Sequence, residues 1–206
     1  MKLYYAPNTI ATASAIALFE AGIPFEAIKV DFAQQQQTSP DYLTINKKAR
    51  VPALVTASGT LTETGAILEF IADQPGGMKL RPKGAYQAAK MREWLHYLAS
   101  TMHINHAHSK RGYRWANAQT SFEDMQAKVP ETMGQSCALI EELMVGPFLL
   151  GDDLGLADCH LYALLRWLPG DGVDIADYPR LAALKHAMEM RDSVRAAHDA
   201  GIFTNQ

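Results

Sequence analysis

The sequence is poor in cysteine and has no long hydrophobic run. Its 206 residues include two cysteines, Cys137 and Cys159, and neither belongs to a Cys-x-x-Cys unit. Two distant cysteines provide no disulfide framework and suit a reducing compartment. No apolar stretch approaches the ~18 residues that a membrane span needs. We therefore expect a cytoplasmic protein without disulfides and without a membrane segment.

The sequence also lacks an excess of positive charge. The formal net charge is -3, so no global positive field favours nucleic acid or an anionic membrane surface, and we expect neither as a partner. The amino terminus, MKLYYAPNT, becomes polar too early for a secretory signal. An apolar content of 48% with 20% charged residues is ordinary for a soluble globular protein.

The first 75 or so residues alternate between strand-like and helical patterns. Strands are predicted at 2–6, 25–30, 52–55 and 60–62, with Ser58-Gly59 as the turn of a hairpin. Apolar spacing predicts a helix from Ile10 to Ala21 and another after Thr64, which would cap it. The polar segment 31–40 is interpreted as a loop. The predicted order is β-α-β-loop-β-β-α.

Beyond a linker at residues 80–84, only helical periodicity remains. Helices are predicted at 85–103, 129–145, 156–168 and 179–191, with Pro130 in the first turn of the second. A mixed α/β front followed by an all-helical back predicts two domains, 1–77 and 85–206.

Four motifs occur in a fixed order: KLYYAP at 2–7, VPAL at 51–54, ETGAI at 63–67 and GDDLGLAD at 151–158. Together they resemble cytosolic glutathione S-transferases along almost the whole chain, most closely the bacterial beta-like and theta/delta-like groups. The resemblance implies a thioredoxin-like N-terminal domain, an all-α C-terminal domain, glutathione as co-substrate and a homodimer.

The resemblance also implies a set of glutathione-binding residues. Val51-Pro52 would be a cis peptide whose Val51 backbone pairs with the cysteinyl unit of glutathione. Arg50 would meet the glycyl carboxylate, or it is a solvated loop charge. Glu63 would accept from the terminal ammonium, and Thr64 at a helix start would receive a carboxylate, unless it is a plain helix cap.

Residues near the thiol are harder to assign. Beta-like relatives carry cysteine where this chain has Ile10, whereas Thr9 matches the serine of theta/delta-like members. A Thr9 hydroxyl and the following helix terminus would both favour the thiolate, although Thr9 could simply cap that helix. Tyr5 and Thr12 are reserve candidates. By resemblance, His106 lies near the thiol.

A histidine-rich stretch precedes a basic and aromatic one. His103 and His106 share a helix face, but no acid or thiol completes a ligand set with His96 and His108, so no metal is predicted. Residues 110–115, KRGYRW, form either a solvated helix end or the wall of a second-substrate site that prefers anions.

Two other features have structural interpretations. Asp158 belongs to a helix-opening motif whose usual Ser or Thr is Gly155 here, so only half of a capping box remains. The two cysteines resemble small core residues.

The leading hypothesis is an enzyme that activates glutathione for attack on a small electrophile. The alternatives are a glutathione-dependent disulfide reductase or peroxidase, and a non-enzymatic binder of glutathione or apolar ligands. The second substrate has no signature in the sequence.

Overall fold

A four-stranded mixed sheet forms the centre of the amino-terminal half. The computed structural model describes residues 1–204. The strands are β1 (Lys2–Tyr5), β2 (Glu26–Lys29), β3 (Ala53–Thr56) and β4 (Gly59–Thr62). They lie in the order β2-β1-β3-β4, with β1 parallel to β2 and antiparallel to β3. Pairing of Leu3 with both Ala27 and Leu54 fixes the register of β1 against β2 and β3.

Three helices complete this half: α1 (Ala11–Glu20), α2 (Pro40–Ile45) and α3 (Thr64–Ala72). Eight of the ten residues of α1 are buried, which is expected of a helix that has packing partners on all sides. Most of those buried residues are small, so neighbouring elements approach the α1 backbone closely.

The rest of the described chain is helical. A five-residue π-helical turn, Leu98–Met102, joins α4 (Ala85–Tyr97) to α5 (His103–Arg111). The others are α6 (Gln119–Leu143), α7 (Leu156–Leu165), α8 (Pro179–Glu189) and α9 (Asp192–Asp199). All ten residues of α7 are buried, which makes it the central helix of this half. The predicted fold class is confirmed, while the boundaries at 77 and 85 stay predictions.

Several predicted elements are wrong in extent. Part of the predicted loop is helical: Gln36–Thr38 is a 3-10 turn, and Pro40 opens α2 after Ser39, whose hydroxyl accepts the Tyr42 N–H at 3.2 Å. The helix predicted at 129–145 begins ten residues earlier, at Gln119, so Pro130 lies in its interior. Residues 119–128 are mostly exposed and therefore carry no apolar periodicity. The helix predicted to end at 103 continues through the π turn to Arg111, and α9 was not predicted.

Polar contacts hold the two halves together beside their shared core. Arg191 forms an ion pair with Glu20 at the end of α1, and the Ser193 hydroxyl donates to the same carboxylate at 2.6 Å. Asn8 reaches the carboxyl-terminal segment through its N–H, which donates to the Ile202 carbonyl at 3.1 Å. Its side-chain oxygen accepts the Thr204 N–H, also at 3.1 Å. The loop before α1 is therefore fixed from the other half of the chain.

The structural interpretation of Asp158 is confirmed. Its carboxylate accepts the N–H groups of Leu149 and Gly155, each at 2.8 Å. Gly155 has no side chain to return the bond, so half of the capping box is present. Burial raises the pKa of Asp158 to about 6. Both cysteines are fully buried, as expected of core residues.

Within residues 1–204, no helix is both long enough and apolar enough to cross a membrane.

Candidate functional site

A cleft runs between the two halves of the chain. One wall is made by the loop before α1, the loop that leads into β3 and the start of α3. The opposite wall is made mainly by α5 and the turn after it, with contributions from α7 and the residue pair that follows α7. The structure brings all the predicted site residues into this lining: Thr9, Arg50, Val51, Pro52, Glu63, Thr64 and His106.

The backbone at Val51 faces the cleft with its polar groups unpaired. The Val51-Pro52 peptide bond is cis, as expected. The Arg50 carbonyl accepts both the Tyr42 hydroxyl and the Asn46 side-chain amide at 2.7 Å, which fixes the peptide before it. Val51 is 9% exposed, and within residues 1–204 neither its N–H nor its C=O has a hydrogen-bond partner. Buried backbone groups are nearly always paired, so these two are suited to a ligand that offers a strand-like edge.

The start of α3 lies beside them. The helix begins at Thr64 and the residue before it is Glu63, so the alternative interpretation of Thr64 as a helix cap is wrong. Unpaired N–H groups in the first turn create a positive potential that favours a carboxylate. The Glu63 carboxylate lies 2.5 Å from Lys48 Nζ, which also donates to the Thr62 hydroxyl at 2.8 Å. Glu63 is therefore already held by a cation at the cleft wall.

Backbone strain is concentrated in this wall. Residues 1–204 contain four non-glycine residues with positive φ, and three of them line the cleft: Asn8 at 60°, Ala49 at 54° and Glu63 at 71°. Such conformations cost on the order of 1–3 kcal/mol each and tend to occur at functional sites. Of the three, only asparagine adopts this region readily, so the sequence carries no signal for Ala49 or Glu63.

Thr9 lines the cleft, but its hydroxyl has a partner. It donates to the Ala6 carbonyl at 2.7 Å. The residue before α1 is Ile10, and no side chain caps the helix, so the capping interpretation of Thr9 is wrong. The reserve candidates do not line the cleft: the Tyr5 hydroxyl faces the Ala200 carbonyl at 3.5 Å, and Thr12 is buried in α1.

His106 is held by contacts with two residues that follow α7 in the sequence. Its Nδ1 lies 2.8 and 2.9 Å from the two oxygens of the buried Asp171 carboxylate. Its ring stacks on Trp167, with centroids 4.1 Å apart. A carboxylate only accepts hydrogen bonds, so Nδ1 carries a proton and a neutral His106 presents Nε2 as an acceptor. Within residues 1–204, Nε2 has no partner.

Trp167 links the walls of the cleft. Its indole N–H donates to the Asn8 carbonyl at 3.0 Å, so one ring contacts His106 on one wall and the loop before α1 on the other.

Two further histidines belong to the lining. His160 on α7 is fully buried, and neither ring nitrogen has a partner within residues 1–204. Burial lowers the pKa of His160 to about 4. Burial, followed by the proximity of His160 and His106, lowers the pKa of His103 to about 3. Both rings are therefore neutral at neutral pH and offer polar nitrogen atoms without adding charge.

The histidines are not assembled as a metal site. The His103 and His106 rings do come together, with centroids 6.5 Å apart, whereas His108 packs against Trp115 at 4.6 Å. No group of three His, Cys, Asp or Glu residues within 1–204 is placed to hold a metal ion.

The charge of the cleft is opposite in sign to that of the chain. Four cationic side chains line it, namely Lys48, Arg50, Arg111 and Arg114. Within residues 1–204, Glu63 is the one carboxylate in the lining, and Lys48 already pairs with it. The cleft therefore attracts anions although the protein carries a net charge of -3.

Sequence reasoning missed Trp167, Asp171, His160 and Lys48. Asp171 lies 65 residues from His106, and no motif in the sequence connects the two. His160 does leave a signal, since a histidine inside the apolar run LADCHLYALL is unusual, but within this run only Cys159 is interpreted, as a core residue.

Comparison with known proteins agrees with these features. Residues 1–73 match the family model of the glutathione S-transferase N-terminal domain, and residues 90–192 match that of the C-terminal domain. The chain belongs to the glutathione S-transferase family. It is 32% identical to the glutathione S-transferase GST-4.5 of Xanthomonas campestris pv. campestris, over 97% of this chain and 98% of that protein.

Solved structures of the family include near relatives. A glutathione transferase homologue from Sulfitobacter with bound glutathione is 48% identical, with a TM-score of 0.95 over 98% of both chains. A more distant relative, the disulfide-bond oxidoreductase YfcG of Escherichia coli, is 27% identical over 87% of this chain and 85% of that one. Family membership is therefore shown, while relatives differ in the reactions that their names record.

The buried His160 of this family member predicts an acid-sensitive contribution to the stability of the fold. Its pKa of about 4 lies below the ~6.5 of an unfolded histidine, so the unfolded state binds more protons below pH ~6.5. The contribution of His160 to the free energy of unfolding should fall as pH drops from about 6.5 to 4, by at most ~1.4 kcal/mol per pH unit, whereas the raised pKa of Asp158 contributes with the opposite sign below pH ~6. His160→Leu should reduce that slope in urea unfolding at pH 6.5, 5.5 and 4.5. His186→Leu, a change at an exposed site on α8, is the control. An unchanged slope in His160→Leu would contradict the assignment.

Proposed function

We propose that this chain binds glutathione in the cleft and activates its thiol for attack on a small electrophile. The observation that carries the proposal is the unpaired Val51 backbone, placed between a cation and a helix terminus. Glutathione is a peptide with a carboxylate at each end, so its central unit can add to Val51 in the manner of a strand.

The ends of glutathione find matching charges on either side of Val51. The Arg50 guanidinium has no ion-pair or hydrogen-bond partner within residues 1–204 and would meet the glycyl carboxylate. The γ-glutamyl carboxylate would lie on the first turn of α3 at Thr64. Glu63, on the same turn, would accept from the terminal ammonium. The Sulfitobacter homologue, with glutathione bound, supports this choice of ligand.

His106 is the better placed of the two candidates for the thiol. Its Nδ1 is engaged by Asp171, which leaves Nε2 to take the thiol proton, and the resulting imidazolium is stabilised by the buried carboxylate. Thr9 has a single hydroxyl proton and gives it to the Ala6 carbonyl, so it must exchange that bond before it can donate to sulfur. We therefore assign the proton transfer to His106, the positioning of His106 to Asp171, and a secondary contact with sulfur to Thr9.

Disulfide reduction is the second candidate, and the similarity to the oxidoreductase YfcG favours it. Ile10 occupies the place of the beta-like cysteine, and both cysteines of the chain are buried. Every reacting sulfur would therefore come from glutathione and the substrate. Parallel assays of conjugation, disulfide reduction and peroxide reduction on the purified protein separate these activities. Binding of glutathione without thiolate formation would instead favour a non-enzymatic binder. A homodimer and a cytoplasmic location remain part of the proposal.

Loss of charge at Glu63 should weaken glutathione binding. Removal of one hydrogen bond to a charged group costs about 1.5–3 kcal/mol, which corresponds to roughly ten- to a hundredfold in affinity. Calorimetry of Glu63→Gln should show this loss, and Thr64→Ala should behave similarly. Glu26→Gln is a matched control, because Glu26 forms a comparable exposed ion pair with Lys2 at 3.5 Å, on the sheet and away from the cleft lining. Equal affinities in all of these proteins would remove the assignment.

Replacement of His106 should raise the pKa of the bound thiol. A cysteine-type thiol titrates near ~8.5, and a decrease of about two pH units requires roughly 2.7 kcal/mol of preference for the thiolate. The ultraviolet band of the thiolate, titrated in the glutathione complex, should move to higher pH by one to two units, roughly, in His106→Gln. Asp171→Asn should move it in the same direction by less.

The Thr9 variants complete this experiment. Thr9→Ser keeps the hydroxyl and should titrate like the parent, while Thr9→Ala should produce a smaller change than His106→Gln. If Thr9→Ala moves the titration fully and His106→Gln leaves it in place, the two roles are reversed.

A further inference from the structure

Arg111 is a half-buried cation that has no partner. Its guanidinium makes no hydrogen bond and no ion pair within residues 1–204, and it lines the cleft from the last turn of α5. The comparison with other arginines is informative. Every other arginine that is buried or half-buried contacts a carboxylate or a backbone carbonyl; these are Arg81, Arg92, Arg166, Arg180 and Arg191.

A charge that is partly removed from water without a partner is costly, so such a group usually has a ligand. Arg114, in the turn after α5, adds a second cation to the same end of the cleft. Among residues 1–204, no lining carboxylate at this end is available to neutralise the pair, because Glu63 belongs to the opposite wall and is bound by Lys48. An anionic group on a ligand would supply the missing partner.

The proposed position of glutathione leaves these cations unused. Its two carboxylates are assigned to Arg50 and to the start of α3, both on the amino-terminal wall. The cations at 111 and 114 lie on the helical wall, where the second substrate must enter to meet the sulfur. The helical wall also presents the stacked rings of His106 and Trp167. Two apolar side chains of α5, Ile104 and Ala107, line the cleft as well.

We propose that the second substrate is a flat electrophile that carries a carboxylate, and that Arg111, assisted by Arg114, binds this carboxylate. The inference rests on the proposed function. It also selects between the two sequence-based interpretations of residues 110–115. Arg111 and Arg114 line the cleft, whereas Lys110, Tyr113 and Trp115 do not. The segment is thus divided between a substrate-facing side and a solvent-facing side.

A matched pair of aryl chlorides tests the proposal. One is 4-chloro-3,5-dinitrobenzoate and the other is the uncharged 1-chloro-2,4-dinitrobenzene. In both, the glutathione sulfur bonds to the ring carbon, chloride leaves with the bonding electron pair, and the thiol proton passes to the base. Arg111→Gln should lower kcat/KM for the benzoate at least about tenfold, as expected for one charge-assisted bond, and change it less than about twofold for the neutral substrate. Arg111→Lys should retain part of the preference.

Lys110→Gln is the control for charge, because it removes the same charge from the neighbouring exposed residue outside the cleft. Three results would overturn the proposal. Both substrates could lose activity equally in Arg111→Gln. Lys110→Gln could have the same effect as Arg111→Gln. Glutathione affinity, measured by calorimetry, could fall about tenfold in Arg111→Gln, which would assign this arginine to glutathione itself.

A binding measurement keeps the test independent of turnover. Calorimetry with the unreactive 3,5-dinitrobenzoate and 1,3-dinitrobenzene, with and without S-methylglutathione, should show tighter binding of the benzoate that is lost in Arg111→Gln. Equal affinities for the two compounds would overturn the proposal. If glutathione itself fails to bind while the benzoate preference persists, the proposed function fails and the anion site remains.

Discussion

The contact between Trp167 and the loop before α1 determines the shape of the cleft. The two walls belong to different halves of the chain, and the catalytic geometry depends on their separation. Trp167 donates to the Asn8 carbonyl and stacks on His106, so a single rigid ring sets the distance from the α1 loop to the imidazole. Asn8 is held in its left-handed conformation by Ile202 and Thr204 from the other side. The carboxyl-terminal segment, as far as residue 204, therefore supports a site to which it contributes no lining residue.

Several strained backbone positions and unpaired polar groups lie in this cleft. Three strained backbone positions, the unpaired Val51 peptide, the unpaired Arg111 and the unpartnered His160 imidazole all line it. Elsewhere, buried charges are paired: Glu20 with Arg191, and Asp158 with two backbone amides. This contrast is typical of a binding site, where strained and unpaired groups are held in place by the well-packed structure around them. Of these unpaired groups, the Val51 backbone is the one for which we propose glutathione as the partner, and Arg111 is the one for which we propose an anionic co-substrate.

The fold and the residues that line the amino-terminal wall of the cleft are predictable because their signals are local. The β1 pattern, the Val51-Pro52 dipeptide and the glutamate before α3 are each short motifs whose conformations depend on neighbouring residues. The opposite wall is predicted less well because its geometry is made by contacts between distant residues. Nothing near His106 in the sequence points to Asp171, and nothing near Asn8 points to Trp167. Helix ends are not predicted where the helix is exposed, because an exposed segment has no periodic pattern of apolar residues. The first ten residues of α6 are an example.

The central claim is that one glutathione molecule spans the cleft from the Val51 backbone to the His106 imidazole. A crystal structure of the protein with glutathione bound tests it most directly. The account predicts that the cysteinyl unit pairs with the N–H and C=O of Val51, and that the sulfur lies within hydrogen-bonding distance of His106 Nε2. Glutathione bound with its sulfur directed away from His106, or with Val51 still unpaired, would contradict it.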